Sequence, residues 1–248
     1  MKLCTYNLRL DTDWDGDRRF TFRRPLISSV LRREAFDVIG FQEVLPAMRA
    51  WLDETLKEYT IVGVGREKDL GGEQNPVAFR TDRFFLLSCD TFWLSDTPDE
   101  PGSRHQEDPS ACPRLCTCVR LMSRATGDCL RVYNTHLDHV SAAARERGAR
   151  QILARVAADA ARFPQSRTVV MGDFNATPDT PFLRLFEAQS LSDAAAATPF
   201  TYHEYHPERG GTKIDYLFTD FPATSARVLD DTDDHLFLSD HYPVAVEW

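Results

Sequence analysis

Apolar and polar positions along the chain fall into short runs rich in β-branched and aromatic residues. They predict strands over 2–8, 37–44, 60–65, 76–80, 84–94, 115–122, 130–137, 167–174, 213–219, 225–231 and 242–248. The run TVVMGDF does not alternate, which predicts a strand covered on both faces. The turn-rich link SRATGDC between 115–122 and 130–137 predicts a hairpin. Helices are predicted over 25–35, 46–58, 142–163 and 180–189. In the clearest, Ala149, Ile152, Val156, Ala160 and Phe163 share one face, and Ser141 stands at the N-cap position. Arg145, Arg147, Arg150 and Arg155 fall largely elsewhere and read as a solvated face. Residues 95–114 carry four prolines and predict a long loop, which in a compact domain is functional or mobile. Many strands with a few interspersed helices predict an α/β fold of two packed sheets flanked by helices.

Composition narrows the class. The 248 residues are 42% hydrophobic and 27% charged, as in an ordinary globular protein. With no internal repeat, low-complexity tract or long linker, residues 1–248 are expected to form one domain. No apolar run approaches the roughly 20 residues of a membrane span. The N-terminus has neither a long apolar stretch nor a small-residue cleavage site, so a cytoplasmic protein is expected. The six cysteines form no CxxC pair and read as reduced, mostly buried thiols rather than a disulfide framework or zinc site. The net charge of −9 disfavours non-specific binding of duplex DNA, although a local basic groove is compatible with it.

Polar residues then cluster where apolar strands end. Asn7 ends the first strand, and Gln42 and Glu43 the second. Asn134, His136, Asp138 and His139 lie at the end of 130–137, and Asp173 and Asn175 at the end of 167–174. Asp215 lies in KIDYLF, and Asp240 and His241 precede the last strand. Each alone could be a turn former or a satisfied core group, but together they are costly to bury without a purpose. Carboxylate and amide oxygens without a thiolate cluster suit Mg²⁺, with Mn²⁺ as the alternative, and the histidines can move protons.

The segments CTYNLR, FQEV, YNTHLDH, GDFNATPD, KIDYLF and SDHYPV occur in this order from residue 4 to residue 246. Together they resemble the endonuclease/exonuclease/phosphatase superfamily, with its DNase I-like fold. The resemblance implies a four-layer α/β sandwich, two mixed sheets face to face with the site at one end. It implies Glu43 as the principal metal ligand, with Asn7 beside it and Asp240 as a second metal contact. It implies Asp173 as the group that orients or deprotonates water, Asn175 as a phosphate-binding amide, and His241 as a phosphate-binding histidine oriented by Asp215. It implies His136 as a histidine near the leaving group or the pentacovalent phosphate. Base and acid duties remain interchangeable among Asp173, His136 and His241. FWLSDTPDEPGS, PRLCT, NTHLDHVS and GGEQNPVAF resemble a mostly bacterial group within the superfamily. The chain departs from that group in lacking an aromatic after PGS.

Arg9 and Arg114 are candidate substrate contacts. Arg9 lies two residues beyond Asn7, hence on the same strand face, where it could fork onto phosphate. Glu73 and His105 are weaker candidates for substrate contact and read first as ordinary surface polar groups, as do His139, His203, His206 and His235. Asp11, Asp13, Asp15 and Asp17 lack the glycine and closing glutamate of a calcium loop and read as a solvated turn. The expected function is Mg²⁺-dependent hydrolysis of a phosphate monoester or diester, a small-molecule or lipid-derived ester being favoured. A DNA or RNA nuclease, including a 3′-exonuclease, is the alternative, and a non-catalytic binding protein on the same fold the remote one.

Overall fold

The structure, a computed structural model, describes residues 1–107 and 109–248. In chain order the elements begin β1 (Lys2–Asn7), α1 (Phe20–Glu34), β2 (Val38–Gln42), α2 (Pro46–Thr55), β3 (Tyr59–Val62), β4 (Val77–Arg80) and β5 (Phe84–Trp93). They continue with β6 (Leu115–Ser123), β7 (Cys129–His136), α3 (Ala142–Arg162), β8 (Ser166–Asp173), α4 (Arg184–Glu187) and β9 (Ser192–Asp193). Then come β10 (Asp215–Thr219), β11 (Ser225–Val228), β12 (Thr232–Asp233), β13 (Leu236–Phe237) and β14 (Val244–Glu247). One mixed six-stranded sheet runs β11-β14-β1-β2-β4-β3 and the other β5-β6-β7-β8-β10-β9, with β12 and β13 forming a separate ribbon. The predicted hairpin is β6–β7, in register from Cys116 opposite Thr135 to Met122 opposite Cys129.

The period-2 alternation of each strand sorts its side chains between layers. Leu3, Val38, Val77, Val119, Val132, Val169, Met171, Leu217 and Val246 meet between the sheets. Cys4, Tyr6, Ile39 and Phe41 face the other way, onto Ile27 and Leu31 of α1 and Met48 and Leu52 of α2. Tyr133, Val170, Tyr216 and Phe218 face Ile152, Leu153 and Val156 of α3 and Phe186 of α4. The result is the expected four-layer sandwich.

Some boundaries differ from expectation. α1 begins at Phe20 rather than at residue 25, with Pro25 inside it. Its first turn is held by Arg23, a fully buried guanidinium donating to the carbonyls of Leu8, Arg9, Arg18 and Leu238. The predicted helix over 180–189 is a 3₁₀ turn, Pro181–Leu183, followed by the single turn of α4. The acidic turn is not simply solvated. Asp13–Arg18 form a 3₁₀ stretch in which Asp15 takes a two-pronged bond from Arg9, and Asp11, just before it, takes one from Arg19. Of the six free cysteines, only Cys4, Cys116 and Cys118 are buried. α3 and its Ser141 cap match expectation, the Ser141 side chain accepting from the Ala144 N–H. No helix among the described residues is long and apolar enough to cross a membrane.

The end of α1 is tied to the first sheet through Glu34, a buried carboxylate paired with Lys2, with Arg33 at 2.9 Å and with Arg227 at 2.5 Å. Burial pushes its pKa up, but Lys2, Arg33 and Arg227 overcome this and hold it near 2, below the ordinary 4.5. Its stabilisation is therefore complete above pH 4.5 and is lost as pH falls toward 2. Glu34→Ala is expected to cost about 2 kcal/mol in chemical denaturation near neutral pH, discounted because all three cations are partly solvated. The difference from wild type should shrink below pH 4.

Candidate active site

The inter-sheet face of the central strands is apolar through most of its length and turns polar at one end. Leu3 and Thr5 lead to Asn7, Val132 to Asn134 and His136, and Val169 and Met171 to Asp173. On β10, which runs antiparallel to β8, Asp215 stands opposite Asp173. Strand alternation alone therefore delivers four of the candidate side chains to one place. Gly172 lets β8 approach its neighbour there. A Cβ at Gly172, whose φ is +146°, would lie 1.9 Å from the Thr135 carbonyl oxygen. Three further site residues, Arg9, Glu43 and Asn175, leave the strand ends in the left-handed region, with φ of 53°, 59° and 48°. Non-glycine residues adopt this conformation at a cost of order 1–3 kcal/mol each, a cost characteristically met at functional sites.

Asn7 is the hub. Its Nδ2 lies 3.0 Å from both Glu43 Oε1 and Asp173 Oδ2, and its Oδ1 accepts the Arg9 N–H. Glu43 Oε2 accepts the Leu10 N–H at 2.9 Å. Asp173 Oδ1 accepts the Asn175 N–H at 2.9 Å. The Asn175 amide donates to His136 Nε2 at 3.0 Å and to the Leu137 carbonyl. His241 Nδ1 donates to Asp215 Oδ2 at 2.8 Å, leaving its Nε2 3.8 Å from Asp173 Oδ2.

Burial separates the titration of these groups. Asp173 is pushed up to about 7 by burial and by the charge of Asp215. Burial alone would lower His241, but the Asp215 carboxylate outweighs it and raises the imidazole to about 10, so it is a cation at neutral pH. His136 is held well below its ordinary value by burial and by the positive charge of Arg114, and stays neutral. Burial and the charge of Glu43 raise Asp240. The site thus holds a fixed imidazolium and a carboxylate whose proton affinity lies near neutrality, the pairing that proton transfer requires.

These groups line a cavity of about 340 Å³ that includes Arg9, Glu43, Arg114, His136, Asp173, Asn175, Asp240 and His241. Asn7 and Asp215 stand behind them, bonded to groups that face the cavity. Arg9 arrives by a different route from the one expected. β1 stops at Asn7 and the chain turns, so the guanidinium forks onto Asp15, with its Nε 3.7 Å from Asp240. Gln42 and Asn134 bond to each other in the core and do not line the cavity. His105 is buried against Asp96 and is also absent from the wall.

The loop over 95–114, of which residue 108 lies outside the described residues, contributes Cys112 and Arg114 to the wall. It is pinned by the Ala111 N–H donating to Asp138 at 2.7 Å. Arg66 and Tyr202, not named from the sequence, line the cavity, as do Glu73, a weak candidate contact, and His139, read as a surface histidine. Arg66 and Glu73 pair at 2.6 Å on a loop folded so tightly that a Cβ on Gly65 would meet the Gly71 carbonyl at 1.9 Å. The glycines of GVGREKDLGGEQ were the available signal. A larger cavity, of about 650 Å³, lies at the opposite end of the sheets around Arg83, Arg124 and Trp248 and contains none of these groups.

Among the described residues, two groups of three His, Cys or Asp side chains bring ligand atoms within 4.8 Å of one another. In the set Asp173, Asp215 and His241, the His241–Asp215 hydrogen bond accounts for the closeness. In the set Cys112, Asp138 and His139, Arg114 fills the space, 2.9 Å from His139 Nδ1 and 3.8 Å from Asp138.

A family model described as Endonuclease/Exonuclease/phosphatase family matches residues 4–241. No curated protein sequence matches the chain. Among solved structures, an endonuclease/exonuclease/phosphatase from Bacteroides vulgatus superposes with a TM-score of 0.90 at 28% identity, over 99% of this chain and 97% of that one. A conserved protein from Enterococcus faecalis V583 gives 0.88 at 29% identity, over 100% and 98%. The mannosyl-6-phosphatase of Bacteroides thetaiotaomicron VPI-5482 gives 0.89 at 26% identity, again over 100% and 98%.

Proposed function

Because the chain belongs to the endonuclease/exonuclease/phosphatase family, we propose that it is a divalent-metal-dependent phosphoesterase acting on a small phosphate ester, with a sugar phosphate as the favoured class. The observation that carries this reading is the cavity of about 340 Å³ beside Glu43, Asp173 and His241. It lies at the small end of the roughly 300–1,000 Å³ of ligand pockets, a size that suits a small ester. The likeness to a mannosyl-6-phosphatase supports the same class.

In this reading Asp173 takes a proton from the attacking water, its raised pKa making it a competent base near pH 7. The His241 imidazolium presents Nε2–H to a phosphate oxygen, held in orientation by Asp215. Arg114 supplies a further donor, Asn175 supplies one once the phosphate replaces His136 as the acceptor of its amide N–H, and neutral His136 stands by the leaving oxygen. Arg9, committed to Asp15, screens Asp240 and borders the ester.

The donor set suits a hard divalent cation. Glu43 and Asp240 line the same cavity and are buried, and the Glu43 charge disfavours ionisation of Asp240. Arg9 alone is too far from Asp240 for a hydrogen bond. Glu43, with Asn7 and Asp240 beside it, would hold Mg²⁺, with Mn²⁺ as the alternative. When bound, the cation neutralises charge on the phosphate and leaving oxygen.

Asp215→Asn keeps an acceptor for His241 Nδ1–H but removes the charge that makes the ring a cation. Turnover is expected to fall by about 10²-fold, with the alkaline limb of kcat/KM moving from near pH 10 toward 6.5. An unmoved limb would reassign the imidazolium. The substrate class is tested by competition between sugar phosphates and oligonucleotides. Sugar phosphates should be preferred, with little dependence on salt. Preference for oligonucleotides with a steep salt dependence would favour a nuclease.

A further inference from the structure

Arg120 of β6 and Arg131 of β7 stand directly opposite each other in the β6–β7 register. Like charges in this position repel and destabilise a sheet unless something lies between them. Arg131 is only 3% exposed. One of its nitrogens donates to the Ser166 carbonyl at 2.9 Å and to Thr168 Oγ1 at 2.7 Å. Its Nε and other terminal nitrogen are buried with no partner among the described residues, as is Arg120 Nε. Unpaired buried donors on a cation are among the costliest groups a protein can carry.

Both arginines line a separate cavity of about 400 Å³ over the outer face of the second sheet, together with Arg155, Arg162, Asp90 and Asp159. The two aspartates are already taken. Both pair with Arg155, at 2.6 and 3.2 Å, and Asp159 also accepts the Tyr133 hydroxyl. Arg120 packs on the Phe163 ring at 3.7 Å, and Arg162 lies 5.0 Å from the same ring. Four arginines against two aspartates leave two positive charges in a chain whose net charge is −9. Arg131 and His136 are five residues apart on β7, or about 17 Å along the strand, so this cavity is distinct from the catalytic one.

We propose that this cavity is a second, non-catalytic binding site for a dianionic phosphate group, held by Arg120 and Arg131. A phosphate carries about −1.5 to −2 charge near pH 7, which matches the uncompensated charge. Its oxygens accept the forked N–H donors that the protein leaves unpaired. The group could come from inorganic phosphate or from a phosphate monoester, and the cavity has room for either.

The test is thermal unfolding in EDTA at constant ionic strength, with chloride as the control anion and with inorganic phosphate or glycerol 2-phosphate as probes. The melting temperature of the wild type should rise with phosphate and not with chloride. A response to both probes marks a site open to esters, and a response to inorganic phosphate alone marks one that takes the free ion. Arg131→Met should raise the melting temperature without phosphate, because it removes an uncompensated buried charge, and should weaken the phosphate response at least about tenfold. Arg120→Gln, at a half-buried position, should weaken the response similarly and serves alone if Arg131→Met does not fold. Asn175→Ala, in the catalytic cavity, should leave the response in place. A wild type indifferent to both probes, a response that survives in both arginine variants, or one lost in Asn175→Ala would overturn the proposal. An Arg131 that merely ties β7 to β8 would instead give a lower melting temperature on substitution and an unchanged phosphate response.

Discussion

Asp173→Asn is expected to lower phosphate-ester turnover by about 10³-fold or more while raising the melting temperature. The two effects share one cause. Asp173 is buried opposite Asp215, and burial and that neighbour's charge lift its pKa from 3.8 to about 7. An acid raised in this way opposes folding once it is ionised. The penalty begins as pH rises past 3.8 and is complete above pH 7. Asparagine keeps the shape and an acceptor for the Asn175 N–H but carries no charge. The gain in melting temperature should therefore be largest above pH 7 and vanish in strong acid. Turnover should be lost throughout, because an amide cannot take the proton from water. Melting curves across this range, with turnover of the same preparations, check both halves. A variant that is inactive but also less stable above pH 7 would show that Asp173 mainly holds the strand ends together.

Glu43→Gln is expected to weaken divalent-cation binding by at least about 10²-fold and to reduce turnover correspondingly. Its carboxylate is oriented by Asn7 at Oε1 and by the Leu10 N–H at Oε2, on a backbone held at φ 59°. Glutamine removes the charge with little change of shape. Mn²⁺ titration followed by electron paramagnetic resonance, with circular dichroism to establish folding, is the check. Unchanged Mn²⁺ affinity in a folded variant would move the cation to other residues, and Asp240 would be the next to examine.

Much of the architecture follows from local pattern. Strand alternation carries Asn7, His136 and Asp173 onto the inter-sheet face, and the same alternation builds the core behind them from Leu3, Val132 and Val169. Residues at strand ends were therefore legible as a cluster before any distance was known. Arg9 reaches the cavity as expected but by another route, because its placement depends on a left-handed turn after Asn7 that the period of a strand does not foresee. Arg66, Glu73, Cys112 and Tyr202 come from loops whose paths are set by distant contacts, such as the bridges of Gln74 to Val44 and Gly65 and the bond from Ala111 to Asp138. The start of α1 was misplaced for a similar reason. Pro25 reads as a boundary in sequence, whereas Arg23 anchors an earlier turn through four carbonyls remote in the chain or outside the helix. The opposition of Arg120 and Arg131 needs the hairpin register, which composition cannot supply.

Release of inorganic phosphate from sugar phosphates by the purified chain, with added Mg²⁺, with EDTA, and with EDTA followed by excess Mg²⁺, tests the central claim most directly. Wild type should release phosphate with Mg²⁺, stop in EDTA and recover on re-addition, while Asp173→Asn stays inactive in all three. Release that continues undiminished in EDTA, or equal release by Asp173→Asn, would contradict the account.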